Sequence, residues 1–312
     1  MTIAQTPMLL SRRLEKRWPG FFRALEEYAS GSSQGSLRDK AARLLVFRYG
    51  VEIQAAEFEA ALLTAVYLWR KKPVVYQFFG AFSDSLNDFC DGMSSSDVLP
   101  MEALNQLPAP CLYLYAEDVF SFKAHGCFCF RDLNTFGEQV LYLVFLFSGV
   151  DSFPFCIRMK GQVPFQDCLP QMEELLQMAI YPAFHGNRGA LMLLSGEVSA
   201  QRPYDCPVHN RLLRAIQHCL YLISMNADIQ QVPATEVGNQ VCLYNVGFNV
   251  TPPELEPQQR SSSGDGTGTA LKRGHLRRAH WHNYWMKNEA GEKVLTPKWV
   301  AAVYVTGAGE GS

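Results

Sequence analysis

The spacing of apolar residues changes near residue 110, where a helical part of the chain gives way to a part rich in β-strands. Up to residue 70 the apolar residues recur at helical spacing, with a break at Pro19. Ser36 is a residue type that caps the start of a helix, and Gly50 is one that ends it. The predicted helical segments are 8–30, 36–49 and 52–70.

After residue 110 the apolar runs become short and rich in aromatic and branched residues, which favours antiparallel strands of one sheet. The predicted strands are 111–115, 126–130, 139–147 and 153–159, with a short additional strand at 240–247. Further helical segments are predicted at 78–89, 102–107, 168–184 and 209–225. The fold class predicted from these elements is α+β, with a helical N-terminal half packed on an antiparallel sheet.

Composition limits the classes of protein that fit this sequence. The hydrophobic fraction is 48% and the charged fraction is 19%, which is typical of a globular protein. The nine cysteines are scattered, without a Cys-x-x-Cys pair, which indicates reduced thiols rather than a disulfide framework. The N-terminal residues do not resemble a signal peptide, and the apolar run Val140–Phe147 is too short to cross a bilayer. We therefore expect a soluble cytoplasmic protein that has no membrane partner.

Residues 252–270 have the composition of a flexible linker, since three prolines and three glycines fall among polar residues there. This linker divides the chain into an α+β body, residues 1–251, and a C-terminal segment, residues 271–312. The stretch Asn288-Glu289-Ala290-Gly291 has turn chemistry and lies between two runs of strand character. The C-terminal segment is therefore predicted to be a β-hairpin docked on the body.

The most unusual stretch of the sequence is Arg-Arg-Ala-His-Trp-His-Asn-Tyr-Trp at 277–285. Read as a strand, it places alternate side chains on opposite faces. Trp281 and Trp285 share one face and are predicted to be buried, because an indole hides a large apolar area. The other face carries the polar and ring side chains Arg278, His280, His282 and Tyr284.

This stretch lies in a basic region, with seven Lys or Arg and two acidic residues between positions 272 and 298. Clustered cations among aromatic residues suit RNA or an acidic partner, although a solvated hairpin face is the simpler alternative. His280 and His282 could be an acid–base pair of a ribonuclease, with Arg278 stabilising the phosphorane. They could also hold the hairpin through hydrogen bonds. A metal site needs a third ligand that no spacing selects, so we expect neither metal nor cofactor.

The sequence HLRRAHWHNYW, followed after a turn by PKWVAAVYV, resembles the C-terminal signature of the AcrVA2 family of anti-CRISPR proteins and their plasmid-borne relatives. That signature reads basic-basic-small-His-Trp-His/Arg-x-Tyr-Trp, with a Trp in the next strand. The strong likeness covers about a tenth of the chain, and weaker likeness extends through 75–77, 107–113 and 243–247. Asn283 and the long linker depart from the family pattern.

The resemblance implies a protein that opposes type V-A CRISPR immunity in the cytoplasm of a bacterial host cell. It would lower production of the effector nuclease by recognising the nascent N-terminal segment of that enzyme, with loss of the encoding messenger RNA. Such a protein needs a peptide site, which we expect in a groove between the N-terminal helices and the sheet. It also needs a surface for messenger RNA or the ribosome. The predicted partner-binding residues are Arg277, Arg278, His280, His282 and Tyr284.

This function is that of a binding protein rather than an enzyme. The alternative from the residues themselves is a ribonuclease, or an RNA-binding protein, that acts through the C-terminal hairpin. The candidate catalytic residues of that alternative are His280, His282 and Arg278.

Overall fold

The computed structural model describes residues 5–31, 35–91, 93, 97–116, 126–134, 136–146, 152–159, 161, 163–168, 207–233, 241–248, 275–277, 280–288, 291–300 and 303–305. The helices are α1 (Gln5–Arg17), α2 (Phe21–Gly31), α3 (Leu37–Tyr49), α4 (Ile53–Lys71), α5 (Gly80–Asp91) and α6 (Pro207–Leu222). Two 3₁₀ helices cover Met101–Gln106 and Phe165–Cys168. The strands are β1 (Val74–Phe78), β2 (Cys111–Ala116), β3 (Gly126–Leu133), β4 (Gln139–Leu146), β5 (Ser152–Arg158), β6 (Ile229–Gln231), β7 (Cys242–Val246), β8 (His275–Arg277), β9 (His280–Lys287), β10 (Lys293–Val300) and β11 (Val303–Val305).

The N-terminal helices begin and end where their capping residues predict. The Ser36 hydroxyl accepts a hydrogen bond from the Asp39 backbone N–H at 3.2 Å, and Gly50 ends α3 with φ at +67°. The carboxylate of Asp132 in β3 accepts the backbone N–H groups of Leu37 and Arg38 at 3.0 and 2.8 Å. An anion at a helix N-terminus satisfies unpaired donors there, so this contact fixes α3 to the sheet.

The central sheet has seven strands in the order β5-β4-β3-β2-β1-β7-β6. Strands β2 to β5 are antiparallel neighbours, as the sequence predicts, whereas β1 pairs in parallel with both β2 and β7. The sequence did not predict β1, whose last residue, Phe78, is the first residue of the predicted helix at 78–89. The mixed helices and strands confirm the α+β fold class.

Each face of the sheet is covered by a different set of helices. Alternation along the strands sends Tyr113, Phe128 and Val144 to the face under α1–α4. It sends Leu112, Cys127 and Phe145 to the opposite face, which packs against α5, α6 and the first 3₁₀ helix. The helical N-terminal half therefore lies on one face, as predicted, and the second face is where the C-terminal hairpin docks.

Two predicted segments lie outside the described residues. They are the helix at 168–184, of which only Cys168 is described, and the linker at 252–270. The division into body, linker and hairpin therefore stays a prediction. None of the described helices combines the length and the hydropathy that a membrane crossing requires.

Candidate functional site

The hairpin predicted at the C-terminus is formed by β9 and β10. His280 to Lys287 pair antiparallel with Lys293 to Val300, so the tail is extended, as predicted. Asn288 closes the turn: its side-chain oxygen accepts from the Glu292 N–H at 2.8 Å, and its carbonyl accepts from Gly291. Gly291 has φ at +80°, a conformation that favours glycine. The turn fixes the register and therefore which side chains share a face.

Strands β8 and β11 pair in the same register as β9 and β10. Arg277 lies opposite Val303 in the first pair, and His280 lies opposite Val300 in the second. Arg277 is thus in a strand, as predicted, while Arg278 lies outside the described residues. The two pairs together give the C-terminal segment its ladder.

One face of the hairpin packs on the body near the start of β9. Trp299 is 4% exposed, lies 4.9 Å from Trp281 between ring centroids, and contacts Phe89 edge to face. The Trp281 indole N–H donates to the side-chain oxygen of Gln217, which is fully buried in α6. Buried indoles need such an acceptor, so this contact fixes the hairpin to α6.

The edge of β10 that faces away from β9 is bonded to the body. Asn226, just after α6, donates to the Trp299 carbonyl at 2.8 Å and accepts the Trp299 N–H at 3.2 Å. The Met225 N–H donates to the Pro297 carbonyl at 3.0 Å, and Gln106 donates to the Leu295 carbonyl at 2.6 Å. The body thus saturates one edge of the hairpin.

The predicted polar face of β9 is exposed over most of its length. The rings of His282 and Tyr284 stack with centroids 4.6 Å apart, and Tyr284 is 38% exposed. His280 is half-buried. The register places Lys298, also exposed, directly opposite His282. Reading the sequence alone missed Lys298 as a member of this face, although the turn at 288–291 sets the register that puts it there.

The prediction that both β9 tryptophans are buried was wrong for Trp285, and Trp281 is only half-buried. The Trp285 side chain is 63% exposed, and its neighbours Tyr284 and Met286 are exposed as well. Contacts with the body decide which indole is covered. Gln217 contacts Trp281 and Phe89 contacts Trp299, and neither contact extends to Trp285 near the turn. Near the turn, β9 is therefore exposed on both faces, while β10 still contacts the body there through the Leu295 carbonyl.

The chemistry of this surface is aromatic and cationic. Among the described residues of β9, β10 and their turn there are three lysines, Lys287, Lys293 and Lys298, and one acidic residue, Glu292. Stacked rings beside an ammonium group can bind nucleic-acid bases and phosphates, or carboxylates and apolar side chains of a peptide. Within the described part of the chain, no group of three or more His, Cys, Asp or Glu side chains is placed to hold a metal ion.

Another titratable ring, His218, lies in the interior and away from this surface. It is fully buried in α6, with one ring nitrogen 3.3 Å from the Ser83 hydroxyl and the other 2.7 Å from the Arg214 carbonyl. Burial lowers the pKa of His218 to about 4. Both ring nitrogens of His218 therefore have partners in the interior.

The groove expected between the N-terminal helices and the sheet is closed by packing over the centre of the sheet, where residues such as Leu63 and Tyr113 are fully buried. A hollow of about 300 Å³ remains at one end, where α1 and the end of α4 meet the start of β7. Arg70 at its wall already pairs with Glu15 at 3.2 Å. The lining residues are Met8, Ser11, Arg12, Trp69, Arg70, Pro73 and Val241.

Comparison with known proteins agrees with the resemblance carried by the hairpin. The crystal structure of AcrVA2 has a similar fold, with a TM-score of 0.50 and 16% sequence identity, over 96% of this chain and 98% of that one. The comparison with curated protein sequences gives no match. The model of the AcrVA2-like family, described as anti-CRISPR type V subtype A2, matches residues 84–307. Because that match covers well over half of the chain and includes the hairpin, this protein belongs to the anti-CRISPR type V subtype A2 family.

Proposed function

We propose that this protein lowers production of the type V-A CRISPR effector nuclease by recognising the nascent N-terminal segment of that enzyme, with loss of the encoding messenger RNA. Membership of the anti-CRISPR type V subtype A2 family is the observation that carries the proposal. The protein acts as a binding protein in the cytoplasm of a bacterial host cell. Its partners are the nascent effector chain and, on the same complex, messenger RNA or the ribosome.

The hairpin supports this proposal because it combines a firm anchor with an exposed surface. Trp299 is buried, and Asn226 bonds both the N–H and the carbonyl of its backbone. The end near the turn carries Tyr284, Trp285 and Met286 in an exposed row. Large apolar side chains that remain exposed together mark contact sites for partners, and a fixed backbone lowers the entropy lost on binding.

A reporter experiment separates recognition of the peptide from recognition of its message. The effector's N-terminal segment is fused to a reporter in three forms. The first is natural, the second is recoded with synonymous codons, and the third is shifted in frame by a single-nucleotide insertion with a compensating deletion. The first two encode one peptide on different messages, and the third keeps the message while changing the peptide. We expect reporter protein and mRNA to fall for the first two forms only. A fall for the frame-shifted form would show that the message itself is recognised, and the proposal would then be wrong.

RNA binding by the hairpin is the second candidate, and one observation favours it. The stacked His282 and Tyr284 rings with Lys298 opposite form a flat aromatic surface beside a cation. Such surfaces bind single-stranded bases and phosphates, and their affinity falls steeply with salt. A variant with Tyr284→Ala and Lys298→Ala tests this contact, with Lys293→Ala as the matched control outside the ring pair. Equal RNA affinity of both variants would exclude it.

A ribonuclease mechanism would require proton transfer by His280 and His282. His280→Ala with His282→Ala should abolish cleavage of a purified RNA substrate if these rings transfer protons, and should leave peptide binding intact. His282→Ala alone is the informative partner, since His282 is the more exposed of the two. Unchanged messenger levels in cells that express the double variant would remove the catalytic hypothesis.

A further inference from the structure

The backbone of β9 has one edge without a strand neighbour among the described residues. β9 and β10 form a two-stranded sheet, so β9 pairs through one edge only. The contacts of β10 define which groups point outward. The N–H and carbonyl of Trp299 bond to Asn226, and the carbonyl of Pro297 bonds to Met225, so these residues point away from β9.

Antiparallel geometry then fixes the orientation of their partners. In a non-hydrogen-bonded pair of an antiparallel ladder, both residues direct their backbone N–H and C=O groups away from the partner strand, to the outer edges. Trp281 lies opposite Trp299, Asn283 opposite Pro297, and Trp285 opposite Leu295. The outer edge of β9 therefore presents the N–H and C=O groups of Trp281, Asn283 and Trp285 at a two-residue spacing, which is the pattern that an added strand requires.

This edge lacks the usual protection of an exposed strand. Proteins commonly place Pro or Lys in the centre of an edge strand to prevent pairing with other chains. The centre of β9 is instead Asn283-Tyr284-Trp285-Met286, all exposed, and the first lysine is Lys287 at its end. An open edge flanked by large apolar side chains is a site for a partner rather than an ordinary solvated strand.

We propose that the outer edge of β9 is a peptide site, which takes an extended segment carrying acidic side chains as an added β-strand. The inference rests on the proposed recognition of a nascent peptide and names where and how that peptide binds. Acidic character follows from charge, because the described hairpin has three lysines against one acid.

A proline substitution tests this edge without breaking the hairpin. Asn283→Pro removes an N–H that points outward, and the ladder to β10 stays intact because residue 283 does not bond across to Pro297. Asn283→Ala keeps the N–H and is the matched control. The probe is a fluorescent synthetic peptide of the effector's N-terminal segment, with a second version in which Asp and Glu are replaced by Asn and Gln. Circular dichroism and thermal melting check that both variants are folded.

We expect Asn283→Pro to weaken peptide binding about tenfold, with Asn283→Ala close to the unsubstituted protein. The neutralised peptide should bind more weakly than the natural one. Equal affinity of the proline and alanine variants would overturn the edge site while leaving peptide recognition standing, and the hollow at Arg12 would then be tested by Arg12→Ala. No binding of the natural peptide to the unsubstituted protein would overturn the edge site and the proposed function together.

Two further measurements keep the inference testable if the proline variant does not fold. N-methylation of alternate backbone amides in the peptide should abolish binding in one register and spare it in the other, because an added strand bonds through every second residue. Loss in both registers or in neither would overturn the edge site. If a single-stranded RNA oligonucleotide displaces the peptide from the unsubstituted protein, the surface binds RNA instead. If sedimentation shows a dimer, the edge of β9 binds a second copy of the chain instead.

Discussion

Asn226 is the residue whose removal tests most directly how the hairpin is attached. Its side chain makes two hydrogen bonds to the backbone of Trp299, at 2.8 and 3.2 Å, and thus acts as a short piece of strand beside β10. Asn226→Ala removes both bonds and leaves a partly buried N–H and C=O of Trp299 without these partners. Each such bond contributes about 0.5–1.5 kcal/mol, and unsatisfied groups add a penalty, so we expect a loss of about 2 kcal/mol.

The loss should be visible in two assays. For a chain of this size it corresponds to a fall in Tm of about 4 °C. Amide exchange adds position, because the Trp299 N–H should exchange faster in the variant while amides of β3 and β4 in the central sheet keep their protection. Asn283→Ala is the control, since it makes the same substitution on the exposed strand of the same hairpin and should change stability by less than about 0.5 kcal/mol. A Tm and a Trp299 exchange rate equal to those of the control would show that Asn226 does not attach the hairpin.

Two more predictions follow from groups in the body. Burial lowers the pKa of His218 from 6.5 to about 4, so the unfolded state binds the proton more tightly than the folded state. The contribution of His218 to the free energy of unfolding is therefore full above about pH 6.5 and falls by about 3 kcal/mol as the pH drops to about 4. His218→Gln should reduce this dependence in urea unfolding at a series of pH values, and an unchanged dependence would assign it to other groups. Gly50 and Gly247 have φ of +67° and +72°, but a Cβ at Gly247 would lie 2.4 Å from Phe82, whereas Gly50 has open space. Gly50→Ala should cost about 1 kcal/mol and Gly247→Ala clearly more, and equal unfolding midpoints would contradict the steric argument.

The N-terminal helices could be predicted because their signals are local. Ser36 and Gly50 mark the ends of α3 through bonds within a few residues, and the structure has both caps. Strand β1 could not be predicted in the same way. It has five residues, is buried on nearly its whole length and lies between parallel partners from distant parts of the sequence. A short apolar run of this kind does not alternate, so its periodicity cannot distinguish a strand from a buried helix.

At the candidate site, local sequence signals likewise predict the strands of the hairpin but not which of its side chains are buried. Alternation along β9 predicted which side chains share a face, and the turn predicted the pairing partner. The partial burial of Trp281 depends on Gln217 in α6, 64 residues earlier, and nothing local distinguishes Trp281 from the exposed Trp285. The edge of β9 that has no strand neighbour among the described residues depends on a distant residue in the same way, since Asn226 occupies the outer edge of β10.

The anchor and the proposed peptide site lie on opposite edges of one hairpin, so stability and binding should respond to different substitutions. Truncation of a buried Trp such as Trp299 costs about 3–5 kcal/mol, which sets the scale for opening the docked hairpin. If Asn226→Ala lowers an opening free energy of about 4 kcal/mol by about 2, the open fraction rises only to about 3%, and the apparent peptide affinity falls by the same small fraction. Asn226→Ala should therefore lower Tm with unchanged peptide Kd, whereas Asn283→Pro should raise Kd beyond anything its effect on Tm explains. If Tm and Kd change in parallel in both variants, peptide binding depends on the docking of the hairpin on the body and not on the edge of β9.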